Sequence, residues 1–255
     1  MAYILITGAS SGIGEVFAKE YARRGNDLVL VARSESKLQE IAAALSSERK
    51  VTVKVFSQDL SEQGSAERVF DYCRANNLQV ELLINNAGFG LTGEFVDQPV
   101  DRLEQMILLN INTMMKLTHL FLPQMLARKT GGVINVASTA AFQPVPYMSV
   151  YAATKAFVLN FSEGLHEELQ GSGVKVMALC PGGTETQFFE VANYSRSKLM
   201  IPLEKPEEVV KVAIEGFRSG NSFIISGFAN KVLNFFERFL PRELVAKIAG
   251  SLFRQ

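Results

Sequence analysis

Seven short apolar runs recur along this chain, and stretches long enough to form a helix separate them. The runs are YILIT (3–7), LVLVA (28–32), VTVKVF (51–56), VELLINN (80–86), GVINVAS (132–138), VKVMALC (174–180) and SFIISG (222–227). Most of these runs are apolar throughout instead of alternating with polar residues, which is typical of parallel strands covered on both faces. The separating stretches include residues 13–24, 35–47, 62–75, 101–128 and 151–170. This alternation predicts an α/β fold, with a doubly wound parallel sheet of about seven strands and helices on both faces.

The chain is long enough to bury a sizeable core. It has 255 residues, of which 47% are hydrophobic and 20% are charged, and α/β proteins of this size often remain one domain. We see no linker, repeat or low-complexity tract that would divide it. We therefore expect a single domain over residues 1–228 that carries the functional sites, and a C-terminal amphipathic helical extension of that domain over residues 229–255.

The charge balance and the few cysteines and histidines exclude several classes of function. Basic and acidic residues each total 26, so the formal net charge is zero and we expect no nucleic-acid partner. The only cysteines are Cys73 and Cys180, and the only histidines are His119 and His166. With so few ligands, we expect neither a disulfide framework nor a metal site.

The sequence carries no clear targeting signal. The N-terminal segment MAYILITG is apolar over too few residues for a signal peptide and has no basic flank. No apolar run reaches the length of about 18 residues that a membrane-spanning helix needs. We expect a cytoplasmic protein.

The first apolar run leads into TGASSGIG, which places Gly8, Gly12 and Gly14 in a turn that opens a helix. Glycines let the backbone approach a pyrophosphate closely, and a helix N-terminus offers unpaired N–H groups and the positive end of its dipole. The spacing is G-x-x-x-G-x-G, which differs from the commonest dinucleotide fingerprint, G-x-G-x-x-G. Taken alone, the turn is equally consistent with an ordinary strand-to-helix connection.

Tyr151 and Lys155 stand four positions apart in SVYAATKAF, a run of otherwise small and apolar residues. On a helix, residues i and i+4 lie on the same face, so the phenol and the ammonium can converge on one point. The two residues either form a surface pair or serve the chemistry of a shared site.

Six segments occur together in the order and spacing of one known family. They are TGASSGIG, NNAG (85–88), Asn110 within LLNIN, Ser138 at the end of INVAS, YAATK (151–155) and PGGTET (181–186). The set resembles the short-chain dehydrogenase/reductase family of the compact single-domain type, over residues 3 to about 227. The resemblance implies a Rossmann-type fold and an oxidoreductase that uses a nicotinamide cofactor.

The resemblance implies a catalytic tetrad of Asn110, Ser138, Tyr151 and Lys155. Hydride transfer to a carbonyl leaves negative charge on its oxygen, which needs a proton donor and a polarising hydrogen bond. Tyr151 can supply the proton if the pKa of its phenol, ordinarily about 10, is lowered, and we expect the Lys155 ammonium and the positive charge of the oxidised nicotinamide to contribute to that lowering. Ser138 would hydrogen-bond the substrate oxygen, and Asn110 would support a water chain to Lys155. Taken singly, Ser138 could instead be a helix cap and Asn110 an exposed helix residue.

The resemblance also assigns the cofactor contacts. The glycine turn would hold the phosphates, residues 86–88 would flank the adenosine, and residues 59–60 at the end of the third strand would meet the adenine. The segment PGGTET would lie beside the nicotinamide. The complete set of expected cofactor-binding residues is Gly8, Ser10, Ser11, Gly12, Ile13, Gly14, Arg33, Asp59, Leu60, Asn86, Ala87, Gly88, Tyr151, Lys155, Pro181, Gly182, Thr184 and Thr186.

The residue after the second strand bears on the choice between NADP and NAD. Enzymes that use NAD commonly place an acid there, which binds the ribose 2′-hydroxyl, whereas this chain has Ala32 followed by Arg33. Arg33 can pair with the 2′-phosphate of NADP. The alternative is an exposed arginine without a partner, and the neutral Ser11 removes a second basic contact that many NADP-using relatives have. We expect NADP(H) as the cofactor.

Aromatic residues near the expected site favour a small apolar or aromatic carbonyl compound as substrate. The residues that we expect to border the pocket are Phe89, Phe142, Tyr147, Phe188, Phe189 and Met200. Segment 187–205 resembles the family's substrate lid, which would shield hydride transfer from water. Two rival functions remain open: an epimerase or dehydratase on the same fold, and a cofactor-binding regulator without turnover. The resemblance also implies a homodimer or homotetramer.

The C-terminal segment 229–254 extends beyond the family pattern. Pro241 can begin a helix whose apolar face carries Leu244, Val245, Ile248, Ala249 and Leu252. That stripe can pack against the protein's own pocket, against a partner subunit or against a membrane surface. We expect one of the first two, because packing against protein is the usual fate of an amphipathic helix.

Overall fold

The computed structural model describes residues 2–192 and 203–253. Seven parallel strands form one sheet in the order β3-β2-β1-β4-β5-β6-β7. The strands are β1 Ala2–Thr7, β2 Asp27–Ala32, β3 Val53–Ser57, β4 Gln79–Asn85, β5 Gly132–Val136, β6 Lys175–Cys180 and β7 Phe223–Ile225. The predicted doubly wound α/β sheet is therefore confirmed, and every strand overlaps its predicted apolar run.

Helices connect the strands. They are α1 Gly12–Arg23, α2 Glu35–Arg49, α3 Ser65–Ala75, α4 Val100–Ile107, α5 Met114–Arg128, α6 Ser149–Glu168, α7 Phe188–Val191, α8 Pro206–Arg218, α9 Phe228–Glu237 and α10 Arg242–Phe253. Short 3-10 turns lie at Phe95–Asp97 and Thr139–Ala141. The first six helices cover the stretches that the sequence pattern predicts as helical, with one interruption.

The interruption lies in the stretch 101–128, which the pattern predicts as one helix. The structure instead has α4 and α5 joined by a π turn at Leu108–Thr113. A π turn accommodates one extra residue per turn and often occurs at functional sites. Here it carries Asn110 inward, where its side chain is buried. The apolar spacing of a continuous helix does not reveal such a turn.

The strands are apolar throughout because each face of the sheet carries a helix layer. Along β1, Ile4 and Ile6 pack into the layer formed by α1, α2 and α8. The residue between them, Leu5, packs into the opposite layer with α3 and α5. Since successive strand residues point to opposite faces, both sets must be apolar.

The sheet order creates a crevice above the centre of the molecule. Strand β1 pairs with β2 on one side and with β4 on the other, so the connections from β1 and from β4 run in opposite directions. In open α/β sheets, ligands bind outside the carboxyl ends of the strands at this switch point. Ser138 was expected at the end of β5, and Asp59 and Leu60 at the end of β3. All three lie in the loops that follow these strands.

The predicted apolar stripe of α10 is only partly buried. Ala249 is buried, and Val245 and Leu252 are half-buried. In contrast, Leu244 and Ile248 remain 43% and 50% exposed. Within residues 2–192 and 203–253, no helix is long and apolar enough to cross a membrane.

Glu237, near the end of α9, gives stability a measurable pH dependence. Its carboxyl lines a small cavity with Phe142 and Leu240, and burial raises its pKa from 4.5 to about 7, against the opposing charge of Arg238. Because the folded protein favours the protonated form, the stability from this group is complete below pH 4.5 and is lost as the pH rises through 7.

We expect Glu237→Gln to raise the free energy of unfolding at pH 8 by about 1 kcal/mol, after allowing for solvent screening, and to change it little at pH 5. Urea unfolding at the two pH values measures this difference. The control is Glu243→Gln, at an exposed position on α10. An equal gain at both pH values, or an equal gain in the control, would contradict the prediction.

Candidate active site

A cleft of about 480 Å³ opens above the carboxyl ends of the central strands. The glycine turn forms one wall, and the end of β4 with the loop after β5 forms the floor. Residues of α6, the 181–187 loop and the end of α10 close the other sides. Nearly all the residues expected to bind the cofactor line this cleft, including Arg33, Asp59 and Leu60; Gly14 does not line it.

The glycine turn has the conformation that an anion site requires. Gly8 and Gly12 have φ values of 64° and 57°, a region that residues with a Cβ rarely adopt. Ser11 caps the N-terminus of α1, but its side chain makes no capping hydrogen bond. The first N–H groups of α1 therefore face the cleft, and this turn suits the phosphates of a dinucleotide.

Thr7 and Asn86 hold this turn against the end of β4. The Thr7 hydroxyl accepts hydrogen bonds from the N–H groups of Asn86 and Ala87, each at 3.0 Å. The Asn86 amide donates to the carbonyl oxygens of Thr7 at 3.0 Å and Gly8 at 3.2 Å. The amide of Asn86 thus positions the turn, and Thr7 is a site residue that the sequence analysis missed. Its only signal is its place as the last residue before the glycine turn.

Tyr151, Lys155 and Ser138 meet at the floor of the cleft. Tyr151 and Lys155 lie on one face of α6, and both are buried. The Lys155 ammonium donates to the carbonyl oxygen of Val136 at 2.8 Å and lies 5.8 Å from the centre of the Tyr151 ring. Ser138 caps the following 3-10 turn by accepting a hydrogen bond from the N–H of Ala140 at 3.1 Å. The alternative role of Ser138 as a cap therefore coexists with its place at the site.

The electrostatics of these groups differ from the expectation. Burial raises the pKa of Tyr151 to about 12, although a hydrogen bond with Ser138 acts in the opposite direction. Burial also lowers the pKa of Lys155 to about 8. Within the protein, burial therefore outweighs any lowering of the Tyr151 pKa by Lys155, because the ammonium is directed to a carbonyl oxygen and not to the phenol. The phenol is firmly protonated at neutral pH.

Asn110 lies behind this floor and does not line the cleft. Its side-chain oxygen accepts a hydrogen bond from the N–H of Phe89 at 3.2 Å, and its amide donates to the carbonyl oxygen of Phe89 at 3.0 Å. The amide also donates to Thr154 at 3.1 Å. Asn110 is neither exposed nor in contact with the cleft; it fixes the backbone that follows β4 against α6.

Comparison with known proteins identifies the family. A model of the family described as short chain dehydrogenase matches residues 2–196. The chain belongs to the short-chain dehydrogenase/reductase family. It is thus a member of a family of oxidoreductases, as the motifs predict. A very-long-chain 3-oxoacyl-CoA reductase of Anas platyrhynchos is 36% identical over 219 residues, which cover 84% of this chain and 68% of that protein.

Solved structures of dehydrogenases superimpose over most of the chain. A short-chain dehydrogenase from Sphingobium yanoikuyae in complex with NADPH has a TM-score of 0.84 and 35% identity, covering 94% of both chains. The bulky-bulky ketone specific alcohol dehydrogenase from Comamonas testosteroni has a TM-score of 0.80 and 32% identity, covering 94% of this chain and 92% of the other.

Charged side chains gather at one end of the cleft. The Arg33 guanidinium lies 3.9 Å from the Asp59 carboxylate and is 73% exposed. Burial would raise the pKa of Asp59, but hydrogen bonds from Ser61 and the charge of Arg33 hold it below 3.8. Arg102, which the sequence analysis missed, also lines the cleft and stacks on Phe89 with 4.8 Å between guanidinium carbon and ring centre.

The loop after β6 is held from behind. The N–H of Glu204 donates to the carbonyl oxygen of Gly183, and the N–H of Glu185 donates to the carbonyl oxygen of Glu204, both at 2.9 Å. The Glu204 carboxylate accepts a hydrogen bond from the Asn230 amide of α9, also at 2.9 Å. Nothing in the sequence pattern connects Glu204 and Asn230 to this loop, because each contact spans a long separation along the chain.

The prediction of which residues border the pocket is correct in part. Phe89, Phe188 and Phe189 line the cleft, and the ring of Phe188 lies 5.3 Å from that of Tyr151. Phe142 does not line it, because it packs against Phe223. Tyr147 was also expected at the pocket border but does not line the cleft. Phe253 lines the cleft and was not expected there. The expected residue Met200 and most of the expected lid lie outside the described residues.

Proposed function

We propose that this short-chain dehydrogenase transfers hydride between NADP(H) and the carbonyl or secondary alcohol of a small, apolar substrate, with Tyr151 as general acid and base. The observation that carries the proposal is the meeting of Tyr151, Ser138 and Lys155 at the floor of a cleft whose wall is a glycine turn. A proton donor and a hydrogen-bonding hydroxyl beside an anion-binding turn suit carbonyl reduction.

The residues of the cleft fit a dinucleotide. The open N-terminus of α1 and the glycine turn would hold the pyrophosphate, Ala87 and Gly88 would flank the adenosine, and the loop from Pro181 to Thr186 would hold the nicotinamide end. When bound, NADPH supplies the hydride. NADPH in the Sphingobium yanoikuyae structure supports this choice of cofactor.

The side chains of the protein supply the proton and hold the substrate. Tyr151, with its raised pKa, carries the proton that the developing alcohol oxygen needs. Ser138 would donate a hydrogen bond to the same oxygen, and Lys155 would stabilise the phenolate that forms when Tyr151 gives up its proton. Asn110 positions the backbone of Phe89 beside this group. In this proposal the ammonium acts mainly after proton transfer has begun.

The aromatic wall formed by Phe89, Phe188 and Phe189 supports an apolar carbonyl compound as substrate. Two relatives, the bulky-bulky ketone specific alcohol dehydrogenase and the very-long-chain 3-oxoacyl-CoA reductase, support the apolar carbonyl character of the substrate and not its small size. The test follows NADPH oxidation with aryl ketones, 3-oxoacyl thioesters and aldoses. We expect turnover of one of the first two classes. Turnover of aldoses alone would contradict the assignment.

The same assay separates the rival functions. A cofactor-binding regulator would bind NADPH without oxidising it under any substrate, and an epimerase or dehydratase would convert its substrate without net NADPH loss. The set of Ser138, Tyr151 and Lys155 in the cleft favours an enzyme over a regulator without turnover, and net NADPH loss then separates a reductase from an epimerase or dehydratase. A homodimer or homotetramer and a cytoplasmic location remain predictions from the family resemblance and the sequence.

Arg33 is expected to set the preference for NADP over NAD. Its exposed guanidinium, 3.9 Å from Asp59, can reach a 2′-phosphate at the end of the cleft where it lies. A charged hydrogen bond of this kind contributes about 1.5–3 kcal/mol. We therefore expect Arg33→Ala to raise the Kd of NADPH by about tenfold or more and to leave the Kd of NADH nearly unchanged.

The control for Arg33 is Arg74→Ala, which removes an arginine of equal exposure that pairs with Asp71 on α3. Fluorescence titration with both cofactors measures the two constants. Tighter binding of NADH than NADPH by the unaltered protein, or an equal loss for both cofactors in Arg33→Ala, would overturn the assignment.

A further inference from the structure

Helix α9 buries its polar face and exposes its apolar face. Its inward face is polar, with Asn230 and Asn234 buried. Its outward face carries Phe228, Val232 and Phe235, all exposed. A surface helix of a globular protein normally buries its apolar stripe and exposes its polar one. The reversed pattern indicates that the outward face meets something other than water.

Hydrogen bonds fix this orientation. The Asn230 amide donates to the Glu204 carboxylate at 2.9 Å and to the carbonyl oxygen of Ser226 at 3.0 Å. The Asn234 amide donates to the carbonyl oxygen of Asn230 at 3.1 Å. The bonds to Ser226 and Asn230 are local and would turn with the helix, but turning α9 to bury its phenylalanines would break the bond from Asn230 to Glu204. The apolar face is therefore held outward.

The exposed apolar face is large. Phe228 is 83% exposed, Phe235 56%, Phe236 60% and Phe239, just beyond the helix, 71%. Aromatic side chains each bury about 150–250 Å² when they are covered. Four of them on one short segment exceed the scattered exposure that a monomeric surface normally shows, so this outer face, defined by the four phenylalanines, is a candidate interaction surface.

Basic residues flank the outer face. Lys231 on α9 and Arg238, the residue that caps its C-terminus, stand seven positions apart, so they lie along one border of the apolar stripe. Arg242 and Lys247 follow on α10. Residues 228–253 hold four basic and two acidic residues, whereas the whole chain has a net charge of zero. One of the two acidic residues, Glu237, faces a small cavity and not the outer face.

We propose that the outer face of α9 docks on the surface of a bilayer containing anionic phospholipid. A stripe of exposed aromatic residues bordered by lysine and arginine is the composition that inserts into the boundary between headgroups and acyl chains. If a second copy of this chain covered the face, a two-fold interface would place the basic residues of one copy beside those of the other. The like charges would repel each other. The charge therefore favours lipid over a self-association surface.

Vesicle co-sedimentation of the full chain tests the proposal. We expect binding to phosphatidylcholine vesicles that contain phosphatidylglycerol, and weaker binding to phosphatidylcholine alone or at high salt. The double substitution Phe235→Ser with Phe239→Ser should lower the partition coefficient by about a hundredfold. The pair Lys231→Glu and Arg238→Glu should abolish the preference for anionic vesicles. These four side chains are exposed, so folding should persist.

The matched control is Phe95→Ser, which removes a phenylalanine that is 62% exposed on a different turn. Unfolding midpoints at pH 5, where Glu237 is protonated in every variant, and NADPH affinity should equal those of the unaltered protein. Retention of the full chain in the supernatant with both vesicle types would overturn the proposal, and so would an equal loss for Phe95→Ser. An oligomer that the double phenylalanine substitution dissociates, without vesicle binding, would assign the face to a second copy instead.

Discussion

Tyr151→Phe is expected to lower the turnover of the preferred carbonyl substrate by about 10²–10⁴-fold, the range that general acid catalysis contributes. The substitution removes only the phenolic hydroxyl. The ring stays packed beside Phe188, at 5.3 Å between ring centres, so the shape of the cleft floor should persist. Without this hydroxyl, the developing alcohol oxygen could take its proton only from water. Water has poor access to the buried floor of the cleft around Tyr151.

NADPH affinity separates this effect from damage to the fold. The Tyr151 hydroxyl contacts Ser138, and no contact of it with the glycine turn is seen, so we expect the Kd of NADPH to change less than threefold. Tyr147→Phe is the matched control, because Tyr147 is half-buried nearby but does not line the cleft. Single-turnover rates and fluorescence titrations give both quantities. If Tyr151→Phe kept more than about a tenth of the rate, the proposed role of the phenol would be wrong.

The strand pattern was visible in the sequence because a sheet covered on both faces leaves no place for polar residues. Ile4, Leu5 and Ile6 illustrate this, since neighbours along one strand enter different helix layers. The π turn around Asn110 escaped, because its cause is a tertiary one: a buried amide that bonds to the backbone of Phe89. Local spacing carries no record of that partner.

The site shows the same division. Tyr151 and Lys155 could be paired from the sequence, because four residues on a helix fix which side chains share a face. Arg102 and Phe253 could not be assigned, because each reaches the cleft through the packing of elements far apart in sequence. Thr7 could not be assigned because its role depends on hydrogen bonds to Asn86 and Ala87, far along the chain. Lys155 and the oxidised nicotinamide were expected to lower the pKa of Tyr151; among the protein's own groups burial raises it, and the Lys155 ammonium bonds to the Val136 carbonyl oxygen instead of the phenol.

Gly14 lies behind the glycine turn, and we expect its substitution by alanine to lower both stability and NADPH affinity strongly. It is buried in the first turn of α1, and a Cβ at this position would collide with the carbonyl oxygen of Gly8 and lie 2.5 Å from the Asn86 amide nitrogen. Because the Gly8 oxygen belongs to the backbone, the collision cannot be relieved by rotating a side chain. To accept Ala, α1 must shift away from β1, and the hydrogen bonds from Asn86 to Thr7 and Gly8 must lengthen.

We therefore expect Gly14→Ala to lower the free energy of unfolding by about 1–3 kcal/mol, the usual cost of forcing extra volume into a packed site. It should also raise the Kd of NADPH at least tenfold, because the displaced helix N-terminus no longer faces the phosphates. The matched control is Gly164→Ala on the exposed face of α6, where, apart from the adjoining backbone of α6 itself, none of the described residues has an atom within 4 Å of the added Cβ. That substitution should stabilise the protein by about 0.5–1 kcal/mol, because alanine favours a helix over glycine. Urea unfolding and cofactor titration of both variants distinguish the two sites. If Gly14→Ala matched the unaltered protein in stability and in NADPH affinity, α1 would have room for a Cβ at this position. The close approach of α1 to β1 would then not be what shapes the phosphate site.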